Sequence, residues 1–170
     1  KKLIDNKIIK KIFCTFSPNI EDFTIVMGSN EDDLDIKKHN LISTSICDAT
    51  ALAPVLKIIN ENFKINNGYI TTLHPWLSYQ NLLDGPSSSW SVPGEIYHHY
   101  ALGRSVIGNL IPKPTTALEV ALKSVKNIDK NKIGCFSYRI PTSIVCSADL
   151  SLTLNYKTSK SEIINLFTDL

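Results

Sequence analysis

The sequence predicts an α+β fold, a largely antiparallel sheet with helices packed on one face. Three patterns predict it. Residues 143–156 alternate: Ile144, Cys146, Ala148, Leu150, Leu152 and Leu154 fall on one side and mostly polar or small residues on the other, as in a half-buried antiparallel strand. Residues 49–63 space Leu52, Val55, Leu56, Ile59 and Phe63 three or four apart, which is the period of one helix face. Elsewhere, short apolar runs bounded by turn residues read as strands.

Taken in order, residues 10–16 form a short buried strand, stopped by Ser17-Pro18-Asn19, and residues 23–28 form a second. Residues 31–40 are acidic and then basic, a surface loop. Ser43, Thr44 and Ser45 offer N-caps for the helix over 49–63, which tolerates Pro54 only near its start or at a kink. Asn67-Gly68 closes that segment, and residues 69–73 are strand-like. Residues 84–94, rich in Gly, Pro and Ser, predict a long loop. A stripe of Ala117, Leu118, Ala121 and Leu122 predicts a helix over 115–125, and residues 133–140 a strand. Ser159-Lys160-Ser161-Glu162 is a capping box opening a final helix.

The composition bounds the function. At 170 residues the chain has the length of one domain and can bury a core without staples. Apolar residues at 43% against 20% charged exclude a disordered chain. The net charge of +2 lacks a basic stripe, so no nucleic-acid partner is expected, and Lys37-Lys38 and the lysines between 123 and 132 read as solvated surface. No apolar run is long enough to span a membrane. Of the 18 basic residues only Arg104 and Arg139 are arginines, and a guanidinium grips an anion with two parallel bonds where an ammonium does not. The cysteines are Cys14, Cys47, Cys135 and Cys146. With no CxxC pair they form neither a zinc ribbon nor a thioredoxin motif, and they read as reduced thiols of a cytoplasmic protein. Cys14, Cys135 and Cys146 lie in apolar runs and are expected to pack as small hydrophobes. His98-His99 lacks further ligands nearby, so no metal is expected, and Trp76 and Trp90 read as packing. The chain opens on Lys1 and stops inside a helical pattern at Leu170, which raises the expectation of a piece of a longer protein.

Cys47 stands apart. It follows three hydroxyl residues and precedes the Leu52 helix, where the helix dipole favours a thiolate. His74 ends the strand over 69–73. A thiol at a helix start and an imidazole at a strand end are the parts of an activated sulfur nucleophile. Asp48 works against this, since a neighbouring carboxylate disfavours a thiolate.

The order of motifs resembles the phosphorylating glyceraldehyde-3-phosphate dehydrogenase family over nearly the whole chain. The resemblance runs through KKIFCTFSP from Lys10 and VMGSN from Val26, STSICDATALAP from Ser43 and TTLHPWLSYQ from Thr71. It continues through DGPS from Asp84, GRSVIGNLIPKPTTA from Gly103 and YRIPT from Tyr138. It implies that Cys47 is the nucleophile that adds to an aldehyde and that His74 is the base. Arg104 and Arg139 fall on the family's two anion-binding arginines, Thr115 and Thr116 on its phosphate-binding Thr-Gly, and Thr15 near the backbone that touches NAD (or NADP). The family's topology, homotetramer, anionic aldehyde substrate and inorganic phosphate come with the resemblance.

The departures are equally specific. Ile46 and Asp48 replace the hydroxyl residues flanking the nucleophile, so a carboxylate stands at a substrate-phosphate position. Leu77 and Tyr79 replace the threonines after the histidine, and the segment between Asp84 and Arg104 is roughly nine residues longer than the family's. The sequence holds no GxGxxG. Residues 1–46 are then expected to be the last part of an NAD-binding domain, and residues 47–170 a catalytic domain incomplete at its C-terminus. The altered phosphate site motivates one alternative, a catalytically silent paralogue serving assembly or regulation.

Overall fold

The computed structural model describes residues 1–77, 80–92, 95–98, 102–144 and 146–168, with side chains omitted over 88–98. In chain order its elements are α1 (Lys2–Asp5), β1 (Ile12–Cys14), β2 (Phe23–Thr24), β3 (Leu41–Ser43), α2 (Cys47–Phe63), β4 (Ile65–Pro75), β5 (Ser88–Val92), β6 (Glu95–His98), β7 (Ile111–Lys113), α3 (Ala117–Ala121), β8 (Ile133–Ile140), β9 (Ser147–Leu154) and α4 (Lys160–Thr168). The chain divides into two compact units. The first comprises Lys1–Gly68, Thr116–Ile133 and Leu152–Leu170, the second Tyr69–Thr115 and Gly134–Ser151.

In the first unit β1 and β2 pair in parallel with β3, in the order β1-β3-β2. The expected single sheet is therefore two: the Ile12 strand belongs to this parallel sheet, while the Ile70 and Ile133 strands and β9 form a second, in the order β7-β8-β4-β9. Leu41, Ile42 and Ser43 are all buried, as a strand flanked on both edges and covered on both faces requires.

Helix α2 starts at Cys47, two residues before the predicted start, and runs through Pro54. Its buried stripe is Ala49, Leu52, Ala53, Leu56 and Asn60, rotated from the predicted face because the two alanines let it approach closely. Val55, Ile59 and Phe63 are half-buried. Asn60 is a buried polar residue held there by hydrogen bonds. Its Oδ1 accepts from the Ile65 N–H (3.0 Å) and its Nδ2 donates to the Lys126 and Asn127 carbonyls. The helix ends at Lys64, whose φ of 55° turns the chain directly into β4, so Asn67-Gly68 lies within a strand instead of closing the segment.

Helix α3 packs on α2 and is only one turn long, with Ala117, Leu118, Val120 and Ala121 buried, where the stripe predicted eleven residues. Beyond it Lys123 is exposed, as expected, but its head group is engaged by three partners from the N-terminal part of the chain. Its ammonium donates to Glu21 Oε1 (2.6 Å), Ser17 Oγ (2.9 Å) and Asn19 Oδ1 (3.0 Å). The capping box forms as predicted: the Ser159 N–H donates to Glu162 Oε2 (2.7 Å), and Ser159 Oγ accepts from the Glu162 N–H (3.3 Å).

In the second unit, β7 and β8 pair antiparallel with Ile111 opposite Arg139. The segment read as a long loop over 84–94 contains β5, which forms an antiparallel ribbon with β6. Trp76 packs on Val106 and Ile111, the packing role expected of it, while His99 lies outside the described residues. On β8, Gly134 has the ring of Tyr69 from β4 directly over it. A Cβ at 134 would lie 2.4 Å from Tyr69 Cδ2. Strand β9 covers 147–154, not 143–156. Its alternation survives as half-buried Leu150, Leu152 and Leu154 against exposed neighbours, whereas Ile144 is 71% exposed.

Candidate active site

Cys47 is the first residue of α2 and is exposed. The turn that puts it there is strained. Ser45, two residues before, is buried with a φ of 71°, a left-handed conformation that non-glycine residues adopt at a cost of about 1 kcal/mol or more. Its N–H donates to Ser43 Oγ (3.0 Å), Ser43 Oγ donates to the Phe16 carbonyl (2.8 Å), and Ser45 Oγ is buried without a hydrogen-bond partner. Ile46 then supplies an extended residue before the helix, and the Thr50 N–H closes the first helical bond on its carbonyl (2.9 Å). The Asp48 carboxylate accepts from the Cys47 thiol at 3.5 Å, so the sequence-based concern about this residue has a geometric basis. Thr15 is exposed just past β1, and exposed Thr116 is the N-cap residue of α3 without a side-chain cap bond.

The second unit holds His74, Arg104, Arg139 and Thr115. His74 lies near the end of β4 and is buried. Arg139, on β8, donates to the carbonyl of Pro75 (3.1 Å), which seats one guanidinium beside the residue after His74. Thr115 is half-buried two residues past β7, the strand paired with Arg139. Arg104 is exposed and pairs with Asp84 (3.0 Å), whose other carboxylate oxygen accepts from the Ser105 N–H (2.8 Å). That backbone bond first, and the Arg104 charge after it, hold the Asp84 carboxyl below its ordinary value. The Arg104 segment is pinned further by Asn81, which donates to the Leu102 and Pro86 carbonyls.

One contact had no sequence signal. Cys146, expected to pack as a hydrophobe, is exposed, and its Sγ lies 3.3 Å from Nδ1 of His74. The alternation extends through 146, but the strand begins at Ser147, so the inside–outside rule does not apply to it. Ser45 reads only as a possible cap, and nothing in its residue type announces a left-handed turn. A cavity of about 290 Å³ in the first unit, lined in part by Asn30, Lys57, Glu61 and Lys126, includes none of the predicted site residues. Among the described residues, no helix is long and apolar enough to cross a membrane.

Residues 46–170 match the family model described as glyceraldehyde 3-phosphate dehydrogenase, C-terminal domain. The chain belongs to the glyceraldehyde-3-phosphate dehydrogenase family. Its relatives within that family include glyceraldehyde-3-phosphate dehydrogenase 1 of Bacillus subtilis (strain 168), 33% identical over 154 residues covering 91% of this chain and 43% of the relative. The enzyme of Priestia megaterium is 31% identical over 156 residues, 92% of this chain and 43% of its own length. A cytosolic glyceraldehyde-3-phosphate dehydrogenase of Chlamydomonas reinhardtii is 32% identical over 155 residues, 91% and 42% of the two chains. The chain thus spans less than half the length of these glyceraldehyde-3-phosphate dehydrogenases.

Proposed function

We propose that this chain supplies the catalytic part of an NAD(P)-dependent aldehyde dehydrogenase, one that oxidises an anionic or phosphorylated aldehyde through a covalent adduct on Cys47. The observation that carries this reading is the seat of Cys47: an exposed thiol on the first residue of a 17-residue helix, behind a buried left-handed turn. A helix N-terminus favours a thiolate, and a strained turn is the kind of structure kept for positioning a reacting group. Family membership supplies the reaction class. The relatives are named as glyceraldehyde-3-phosphate dehydrogenases.

In this mechanism the Cys47 sulfur adds to the aldehyde carbon, and the thiol proton passes to His74. The chemistry that NAD supplies when bound is acceptance of a hydride from the resulting thiohemiacetal, which leaves a thioester on Cys47. Inorganic phosphate then attacks the thioester and frees the sulfur. Arg104 and Arg139 hold the anionic groups of aldehyde and phosphate, and Thr115 and Thr116 place the attacking phosphate. Asp48, beside the sulfur, makes this site less hospitable to phosphate than one with a hydroxyl there. The residues present fit one edge of an NAD site, because exposed Thr15 follows the carboxyl end of a parallel strand, where nucleotides dock on parallel sheets. Residues 1–46 are the last part of the NAD-binding domain and 47–170 the catalytic domain. The working protein is a cytoplasmic homotetramer.

The test is NADH formation by the natural full-length protein from glyceraldehyde 3-phosphate, NAD and inorganic phosphate, beside its Cys47→Ser variant. Phosphate-dependent turnover that vanishes in the variant supports the reading. Turnover that survives it refutes the role of Cys47, and a folded protein with no turnover refutes this substrate.

A further inference from the structure

Ser43 is the last residue of β3, the strand between β1 and β2, and is fully buried. Its backbone is fixed from both sides. Its carbonyl accepts from the Ile25 N–H (2.9 Å), and the next residue, Thr44, donates its N–H to the Cys14 carbonyl (2.8 Å). From this rigid post the hydroxyl makes two bonds. Its one proton goes to the Phe16 carbonyl (2.8 Å), and a lone pair takes the Ser45 N–H (3.0 Å). Neither role can reverse, since a carbonyl only accepts and an amide N–H only donates. The second bond falls on a residue in need of it. Ser45 has a φ of 71°, where glycine would be at ease, and it carries a buried hydroxyl without a partner. Two unfavourable features thus stand two residues before the Cys47 thiol, and one side chain opposes their release.

We propose that Ser43 is a positioning residue for Cys47: its hydroxyl holds Ser45 in the left-handed turn that sets the sulfur at the start of α2. It does not cap the helix, whose N-cap residue is Ile46. Without the hydroxyl the chain between 43 and 47 relaxes. The thiol then leaves the helix N-terminus that favours its ionisation, while Asp48, next in sequence, stays beside it. In the reaction proposed above, kcat falls and KM does not, because Ser43 is too buried to touch substrate and acts only on where the sulfur sits. That consequence rests on the proposed function, whereas the effect on thiol reactivity does not.

The test is made in the natural full-length protein. Alkylation of Cys47 by iodoacetamide at neutral pH is followed by peptide mass spectrometry, and kcat and KM are measured beside it. Ser43→Ala should slow alkylation by about tenfold, and Ser43→Thr, which keeps the hydroxyl, should stay within about threefold of wild type. Adding Ser45→Gly to Ser43→Ala should recover most of the loss, because glycine holds a left-handed turn without help. Asn60→Leu, which disturbs the far end of the same helix, should leave the Cys47 rate unchanged. A Ser43→Ala rate within about twofold of wild type overturns the proposal. So does an equal loss in Asn60→Leu, which would mean general loosening, or a loss that Ser45→Gly does not relieve. Where Ser43→Ala fails to fold, the double variant decides. If it folds and reacts like Ser45→Gly alone, the turn was what Ser43 held; if it too fails to fold, Ser43 serves the sheet and the proposal falls. Loss of turnover in Cys47→Ser with unmoved alkylation in Ser43→Ala removes this inference alone. Survival of turnover in Cys47→Ser removes the proposed mechanism and leaves Ser43 to be judged by the alkylation rates.

Discussion

Replacing Glu21 with Gln should destabilise the first unit, and by an amount the structure allows to be worked out. The Glu21 side chain is 5% exposed and its Oε2 is buried without a partner. Burial alone would raise its pKa. The Lys123 ammonium at 2.6 Å, a backbone N–H and the hydroxyls of Ser17 and Thr24 outweigh burial and bring the pKa down from 4.5 to about 2. At about 1.4 kcal/mol per pKa unit, that displacement amounts to about 3 kcal/mol of stability. A depressed carboxylate stabilises fully above its unfolded-state pKa and loses that stabilisation as pH falls through the folded value. The gap between wild type and Glu21→Gln should therefore be widest above about pH 4.5 and close between there and about pH 2. Urea unfolding followed by tryptophan fluorescence, run on both proteins across that range, measures the gap. Asp22, Glu31 and other depressed carboxylates titrate in both proteins and cancel in the difference. A gap below about 0.5 kcal/mol at neutral pH, the size of an ordinary surface substitution, would refute the reasoning. So would a gap that stays constant down to pH 2.

Four further outcomes are expected. Asp48→Thr should speed alkylation of Cys47 by iodoacetamide at neutral pH by about tenfold, since it removes a carboxylate 3.5 Å from the sulfur; an unchanged rate would show that Asp48 has no hold on the thiol. Arg104→Ala should leave the melting temperature nearly unchanged, because its pair with Asp84 is exposed and worth under about 1 kcal/mol, while raising KM for an anionic aldehyde; unaltered KM removes Arg104 from the binding site. Asn60→Leu should cost about 1–3 kcal/mol in urea unfolding by orphaning the Ile65 N–H and the carbonyls of Lys126 and Asn127, and a smaller loss would mean that water takes over those bonds. Ser159→Ala should cost about 1 kcal/mol and fray α4, visible as faster amide exchange over 160–163; equal exchange would show the capping box to be idle.

What the sequence revealed and what it hid divide along a physical line. The capping box at Ser159 and the strand at Ile133–Ile140 were legible because their signals are local. The position of Cys47 at a helix start was legible for the same reason, and its family motif made it more so. The rotated face of α2 was not, because Ala49 and Ala53 carry too little hydrophobicity to outvote Val55 and Ile59, although small residues are what allow close packing. The partners of Asn60, Lys123 and Glu21 were unreadable because they lie far away in the chain, and the burial of Asn60 and of the Glu21 side chain depends on them. The assignment of β1 to its own sheet depends on pairing with β3, which no local pattern encodes. The same holds for Cys146, whose neighbour His74 lies on another strand.

The contact between Gly134 and Tyr69 has a consequence for how this sequence can change over evolutionary time. The two positions are one unit of variation. Alanine at 134 demands space that the Tyr69 ring occupies at 2.4 Å, whereas a shrunken residue at 69 leaves 134 open to almost any small side chain. A side chain at 134 therefore requires the half-exposed Tyr69 ring to swing aside or to be replaced, so substitutions at the two positions are expected to be coupled.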